Sequence, residues 1–257
     1  MRRGLARSRE HASDLIARGR VTVGGATATK AATGVTTDAP VVVSDDRDRP
    51  DYVSRGGLKL AGAMEVFRPA GLVVAGRRAL DAGASTGGFT DVLLREGAAS
   101  VTAVDVGYGQ LAWRLRQDPR VTVLDRTNVR DLARTSVPTA PELVVADLSF
   151  ISLTLVLGAL VHVAEPDADF VAMVKPQFEV GRNLLGKRGV VRDPGHRTAA
   201  VLSVAAAGKA QGLGVRSFCA SPLPGPAGNV EYFVWFRAGA PDIVEAEVDL
   251  VVSGAPQ

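Results

Sequence analysis

Leu80-Asp81-Ala82-Gly83-Ala84-Ser85-Thr86-Gly87-Gly88-Phe89 is the stretch on which the reading of this chain turns. It stands between a candidate strand, Ala79–Ala82, and a candidate helix, Gly88–Glu96. Glycines at 83, 87 and 88 let the backbone turn tightly and approach a ligand closely. Asp105 ends the next strand 22 residues after Gly83, the spacing expected of a carboxylate that grips ribose hydroxyls. A strand-to-helix turn needing glycine only for packing is the competing reading.

A glycine-rich turn followed by an acid is generic to nucleotide-binding α/β folds, and two details narrow it. The turn is not Gly-x-Gly-x-x-Gly, so a pyrophosphate has no obvious cradle. Asp81 opens the turn, where a cationic ligand profits from a carboxylate directly or through water. S-adenosylmethionine carries a sulfonium, an ammonium and no phosphate, and it is the expected cofactor. Its expected site is Asp81, Gly83, Ala84, Ser85, Thr86, Gly87, Gly88, Phe89, Asp105, Val106 and Asp147, with Asp125 and Asn128 reaching the adenine. The last two are equally well read as a turn former and a helix cap.

From Gly71 onward, strands alternate with helices. Ala79–Ala82, Val101–Asp105, Val121–Leu124, Leu143–Ala146 and Phe170–Val174 are apolar on both faces, as a parallel sheet covered by helices requires. Gly88–Glu96, Leu111–Gln117, Leu153–Ala164 and Arg197–Gly212 read as the helices. Val215–Ala220 and Tyr232–Phe236, joined by a Pro- and Gly-rich loop, read as an antiparallel pair at one edge. The predicted fold is α/β and Rossmann-like, with a mainly parallel seven-stranded sheet.

In such a sheet the ligand crevice lies beyond the carboxyl ends of the strands. Asp147 ends the fourth strand and Lys175 the fifth, so both point at one crevice. Lys59 lies in Ser54-Arg-Gly-Gly-Leu-Lys, and Glu231 precedes the last strand. If the cofactor's methyl group is to reach a hydroxyl oxygen, that weak acid must lose its proton to a base. A lysine accepts the proton only if its pKa is lowered, as a neighbouring cation does. Lys175 is the expected general base, Lys59 tunes it and holds the substrate, and Asp147 and Glu231 orient both. Taken singly, each of these residues would be read as a solvated surface group.

The N-terminal segment differs in texture. Between Arg2 and Thr37 there are seven cations, Arg2, Arg3, Arg7, Arg9, Arg18, Arg20 and Lys30, against two anions, which suggests an anionic partner. Ser8 is placed to cap a helix over Arg9–Arg18, with Gly19 as its stop. Val21-Thr-Val-Gly-Gly-Ala-Thr-Ala reads as two strands around a Gly-Gly turn, and Pro40–Ser44 as a third. Ser44–Ser54 is polar, charged and broken by Pro50. The expected organisation is a small α+β domain over 1–45, a linker over 46–54 and the large domain over 55–257.

Cys219 is the chain's one cysteine and sits in an apolar stretch, which excludes an intrachain disulfide and favours a buried small hydrophobe. His11, His162 and His196 have no metal-ligand spacing, so no metal is expected. The longest apolar run, Ile151 to Ala164, is too short to cross a bilayer, and a cytoplasmic protein without membrane insertion is expected.

The tetrad Lys59, Asp147, Lys175 and Glu231 resembles the Lys-Asp-Lys-Glu hallmark of FtsJ-like ribose methyltransferases. More closely, Asp81-Ala-Gly-Ala-Ser-Thr-Gly-Gly-Phe-Thr, Asp105-Val-Gly-Tyr-Gly-Gln-Leu, Ala146-Asp-Leu-Ser-Phe-Ile-Ser, Val174-Lys-Pro-Gln-Phe-Glu and Ser221-Pro-Leu-Pro-Gly-Pro-Ala-Gly-Asn-Val-Glu resemble the TlyA, or haemolysin A, family. The resemblance implies an N-terminal S4 RNA-binding domain and cytidine 2′-O-methylation of ribosomal RNA in one or both subunits, linked to capreomycin sensitivity. It implies that Phe178 and Glu179 lie in the loop beside Lys175. It also implies RNA contacts from the seven arginines Arg2, Arg3, Arg7, Arg9, Arg18, Arg20 and Arg55. S4 domains of this kind begin with a further helix upstream, so a truncated or misassigned start is expected. The linker's Arg49-Pro-Asp-Tyr-Val departs from the family's Arg-x-Trp-Val. The rival readings are an S4-type assembly factor, a uridine isomerase and a haemolysin without methyl transfer.

Overall fold

The computed structural model describes residues 3–6, 9–17, 19–32, 34–44 and 51–255. Two compact units divide the chain, Met1–Asp51 and Tyr52–Gln257.

In the first unit, helix α1 (Arg9–Ala17) precedes strands β1 (Val21–Val23), β2 (Ala26–Thr27) and β3 (Val41–Val43), which form an antiparallel sheet in the order β2-β1-β3. Gly24 and Gly25 both take positive φ, 57° and 85°, as a two-residue hairpin turn of matching twist demands. Leu15 and Val21 are buried between helix and sheet. Ser8, expected to cap α1, and Arg2, Arg7 and Arg18 lie outside the described residues.

The second unit opens with helix α2 (Arg55–Phe67) and continues with β4 (Arg78–Ala82), α3 (Gly88–Arg95), β5 (Ser100–Val104), α4 (Trp113–Arg116), β6 (Val121–Leu124) and β7 (Leu143–Ala146). Then come α5 (Leu157–Val163), β8 (Asp169–Val174), α6 (Pro176–Glu179), α7 (Pro194–Ala210), β9 (Leu213–Ala220), β10 (Tyr232–Ala238) and α8 (Glu245–Gly254). The sheet runs β6-β5-β4-β7-β8-β10-β9, with β10 antiparallel to both its neighbours and the other pairings parallel. The order reverses between β4 and β7, which opens a crevice at the carboxyl ends of these strands.

Successive strand residues feed opposite faces. Leu80, Val144, Phe170 and Val234 pack with Leu157, Val201, Val204 and Val248 from α5, α7 and α8. Ala79, Val145, Val171 and Trp235 pack with Leu60, Met64, Phe67 and Leu93 from α2 and α3. Burial on both faces is why these strands read as unbroken apolar runs. At the amino-terminal end of the sheet the wholly buried Asp169 accepts from Trp235 Nε1 at 2.7 Å and takes the guanidinium groups of Arg77 and Arg237.

Three expectations need correction. Tyr52 and Val53, assigned to the linker, are buried, and Val53 N–H donates to Asp91 Oδ2 at 2.9 Å, so residues 52–54 pack in the second unit. The helix expected over Leu153–Ala164 breaks at Val156 (φ −120°), leaving a 3₁₀ turn Leu153–Leu155 ahead of α5. The helix expected from Arg197 starts at Pro194, where Asp193 accepts from His196 N–H and proline fits the first turn.

Candidate active site

The turn after β4 is bound to both neighbours of that strand. Gly83 and Ala84 N–H donate to Val104 O at 2.9 and 3.0 Å. Gly83 has φ +87°, and a Cβ there would lie 2.4 Å from the Asp147 carbonyl oxygen. A Cβ on Gly88 would lie 2.3 Å from Ser54 Oγ, and one on Gly87 2.4 Å from Leu115 Cδ1. The glycines thus serve close packing of protein against the turn, and one of them brings it against the backbone of Asp147. Ser85 (φ 48°) and Thr86 are exposed at its crest.

Asp105 is partly exposed beyond β5, and its two carboxylate oxygens accept from Ser85 N–H (2.8 Å) and Gly107 N–H (2.7 Å). Each oxygen keeps a lone pair for a further donor. Val106 beside it is 68% exposed. Asp81 lies within β4 beneath the turn, fully buried, its Oδ2 accepting from Thr90 Oγ1 at 2.7 Å and its Oδ1 without a partner. Burial raises its pKa to about 7; the Thr90 hydroxyl opposes the shift, and the negative charges of Asp147 and Asp105 add to it. A buried carboxyl with an orphaned oxygen, two more carboxylates nearby and an open glycine turn fit a cationic nucleoside such as S-adenosylmethionine.

Other expected cofactor residues are occupied differently. Phe89 is buried with its ring centroid 6.0 Å from that of Phe233. Asp125 pairs with Arg116 at 2.5 Å and accepts from Gly109 N–H; the Arg116 hydrogen bond holds its carboxyl below the usual range. Asn128 caps the turn Val129–Asp131 by accepting from Arg130 N–H.

The tetrad resolves into two lysine–carboxylate pairs. Lys59 Nζ lies 2.5 Å from Glu231 Oε2, and Lys175 Nζ lies 2.6 Å from Asp147 Oδ1, an ion-pair distance without hydrogen-bond angle. Both lysines are 8% exposed and Glu231 is 1% exposed. Sheet register brings the pairs together. Val174 faces Tyr232 across β8 and β10, so Lys175 and Glu231 flank one rung. Gln177 Nε2 donates to Glu231 Oε1 at 3.4 Å. A Cβ on Gly56, in the helix that carries Lys59, would lie 3.8 Å from Asp147 Oδ2.

Ser149 and Phe150 join the site unannounced by the sequence, and Glu179 and Phe178 lie beside Lys175 as the resemblance implied. Lys175 Nζ also donates to Ser149 Oγ at 3.0 Å. Glu179, its pKa raised by burial against the pull of two hydrogen bonds, accepts from Ser152 Oγ (2.5 Å) and Leu153 N–H (2.9 Å). It thereby ties the loop after Asp147 to the one after Lys175. Phe150 is 91% exposed with φ +64°, a costly backbone for a bulky residue, and its ring centroid lies 5.2 Å from that of Phe178. The signal was the pair of short motifs, Ser149-Phe-Ile-Ser and Pro176-Gln-Phe-Glu, trailing β7 and β8.

The described cations of the first unit divide. Arg9 is exposed, Arg3 donates to the Ala39 and Thr37 carbonyls, and the 8%-exposed Arg20 donates from Nε to Ser44 O at 2.8 Å. Arg55 is exposed at the start of α2. Cys219 in β9 has its thiol pushed up to about 12 by burial. Among the described residues no helix is long and apolar enough to cross a membrane, and no His, Cys, Asp and Glu group is placed to hold a metal.

The FtsJ-like methyltransferase family model matches residues 52–238, and the S4 domain model matches residues 2–41. The chain is 58% identical over 239 residues to the 16S/23S rRNA (cytidine-2′-O)-methyltransferase TlyA of Mycobacterium tuberculosis, spanning 92% of this chain and 87% of that protein. A solved structure from Streptococcus thermophilus, described as a hemolysin, superposes with a TM-score of 0.78 at 36% identity, covering 98% of this chain and 92% of its own. One from Lactococcus lactis, similarly described, gives 0.75 at 39% identity, covering 80% of this chain and 99% of its own.

Proposed function

This chain belongs to the TlyA family, an S4 domain followed by an FtsJ-like methyltransferase domain, and on that premise we propose that it methylates a cytidine ribose 2′-hydroxyl in ribosomal RNA. The observation that carries the reading is the pair of lysine–carboxylate contacts, the buried Lys59–Glu231 and the partly exposed Lys175–Asp147, beside the cofactor turn. S-adenosylmethionine, when bound, supplies an electrophilic methyl group on a sulfonium.

This chain's residues would do the rest. Ser85 and Gly107 N–H hold the Asp105 carboxylate at the lip of the turn, where its remaining lone pairs suit the cofactor's ribose hydroxyls. The buried Asp81 favours a cation through its field rather than by contact. In its neutral form the Lys175 amine keeps two N–H groups for Asp147 and Ser149 and turns its lone pair to the hydroxyl whose proton it takes, becoming the ammonium. Lys59, anchored on Glu231, positions the same hydroxyl. Phe150 and Phe178 present an aromatic face on which the target base can stack once it leaves its own stack. The S4 domain and Arg55 supply backbone contacts to folded RNA.

The reading is tested with Lys175→Ala. Methyl transfer from labelled S-adenosylmethionine to ribosomal subunits should disappear while cofactor binding, followed by calorimetry, persists. Loss of both together would remove Lys175 from the chemistry.

A further inference from the structure

Residues 182–192, between α6 and α7, contain Arg182, Lys187, Arg188 and Arg192 and no acid. Lys187, Arg188 and Arg192 are exposed, and among the described residues none of the three takes part in an ion pair. An unneutralised cluster of this density is a self-repelling arrangement that an anion relieves.

The segment is not a loose charged tail. Asn229, 2% exposed, accepts from Val191 N–H at 2.9 Å and donates to Gly189 O at 3.0 Å. Arg197, 4% exposed, donates from Nε to Val191 O at 3.0 Å, and its Nη1 is buried without a hydrogen-bond partner. Arg188 and Gly189 both take left-handed backbone, φ 63° and 72°, and Gly186 N–H closes the turn on Val190 O at 3.1 Å. A non-glycine residue held at positive φ and two buried polar side chains spent on loop backbone mean that the presentation of these cations is fixed.

The place is as informative as the charge. The segment begins seven residues after Lys175, and Asn229, which staples it, lies two residues before Glu231. Through Asn229 the segment is tied to the chain just before Glu231, within the second unit.

We propose that residues 182–192 form a phosphate-binding clamp of the methyltransferase domain, gripping the backbone of the RNA strand that enters the crevice, independently of the S4 domain. The inference rests on the RNA substrate proposed above. Arginine and lysine on a rigid loop suit phosphodiesters, whose spacing repeats along a strand, and each neutralised phosphate releases a counterion.

The test uses the full chain with Lys187→Ala, Arg188→Ala and Arg192→Ala combined, measuring binding to isolated ribosomal subunits across a salt series. The variant should bind about tenfold or more weakly, with the slope of log affinity against log salt shallower by about 2. Cofactor affinity and the maximal methylation rate at saturating subunits should stay within twofold of wild type. The single changes Lys187→Ala and Arg192→Ala, each lowering the slope by about 0.7–0.9, serve as the second measurement if the combined variant melts early. Unchanged affinity and slope, with wild-type methyl transfer intact, would overturn the clamp alone. Weaker binding with an unchanged slope would overturn the phosphate contacts. Absence of wild-type binding to any subunit would overturn both the clamp and the RNA reading.

Discussion

Replacing Glu231 by glutamine, Lys59 by methionine, and then both, separates what the buried pair does for stability from what it does for chemistry. Lys59 and Glu231 meet at 2.5 Å with 10% and 1% of their side chains exposed, so water screens neither charge well. Removing one partner of such a pair leaves an uncompensated buried charge, at a cost of about 3–5 kcal/mol. For a domain of this size each kcal/mol moves Tm by about 2–4 °C, so each single variant should melt about 6–20 °C lower. The double variant leaves no stranded charge, and its stability should return to within about 2 kcal/mol of wild type. Activity should not return: all three proteins should lose about a hundredfold or more in methyl transfer. Denaturant melts followed in the second unit give the cycle, and labelled S-adenosylmethionine gives the rates. Additive destabilisation, with the double variant as unstable as the singles combined, would refute the coupling. Full activity in Glu231→Gln would refute the catalytic placement.

The other outcomes concern separate parts of the same unit. Asp81 has a pKa near 7, above the value of about 4 in an unfolded chain, so its protonated form favours folding below about pH 4 and that contribution fades as pH rises through 7. Its ionisation should in turn tighten S-adenosylmethionine binding between about pH 6 and 8, and titrations with Asp81→Asn should lose this pH dependence. Phe150→Ala should raise KM for the ribosomal subunit by the loss of about 1–3 kcal/mol of base stacking, with cofactor affinity unchanged, whereas an unchanged KM would remove it from the substrate site. Phe150→Gly should also raise thermal stability by about 1 kcal/mol through relief of the positive φ. Asp169→Ala strands Arg77 and Arg237 and frees the indole N–H of Trp235, so it should cost about 3–5 kcal/mol in a denaturant melt.

The large domain was legible because its signals are local. Strands buried on both faces read as apolar runs, and the glycine turn followed by Asp105 marks the crevice in the sequence itself. What escaped was set by contacts distant in sequence. The stretch around Lys59 was given no element, yet it forms helix α2, in which a Cβ on Gly57 would lie 2.5 Å from Tyr52 Cβ, so the glycine is there for close approach. The same approach draws Tyr52 and Val53 out of what composition made a linker. Ser149 meets Lys175, and Phe150 meets Phe178, only when the loops after β7 and β8 are brought side by side. The turn glycines were assigned to a ligand, while their missing Cβ atoms make room for Asp147, Ser54 and Leu115. Of the readings left open for Asp125 and Asn128, the cap describes Asn128, while Asp125 pairs with Arg116.

The most direct test is to digest RNA to nucleosides after incubating the protein and labelled S-adenosylmethionine with each ribosomal subunit. Label is expected in 2′-O-methylcytidine, in one or both subunits, and absent with Lys175→Ala. Label on a base carbon or nitrogen, or transfer that survives Lys175→Ala, would contradict it.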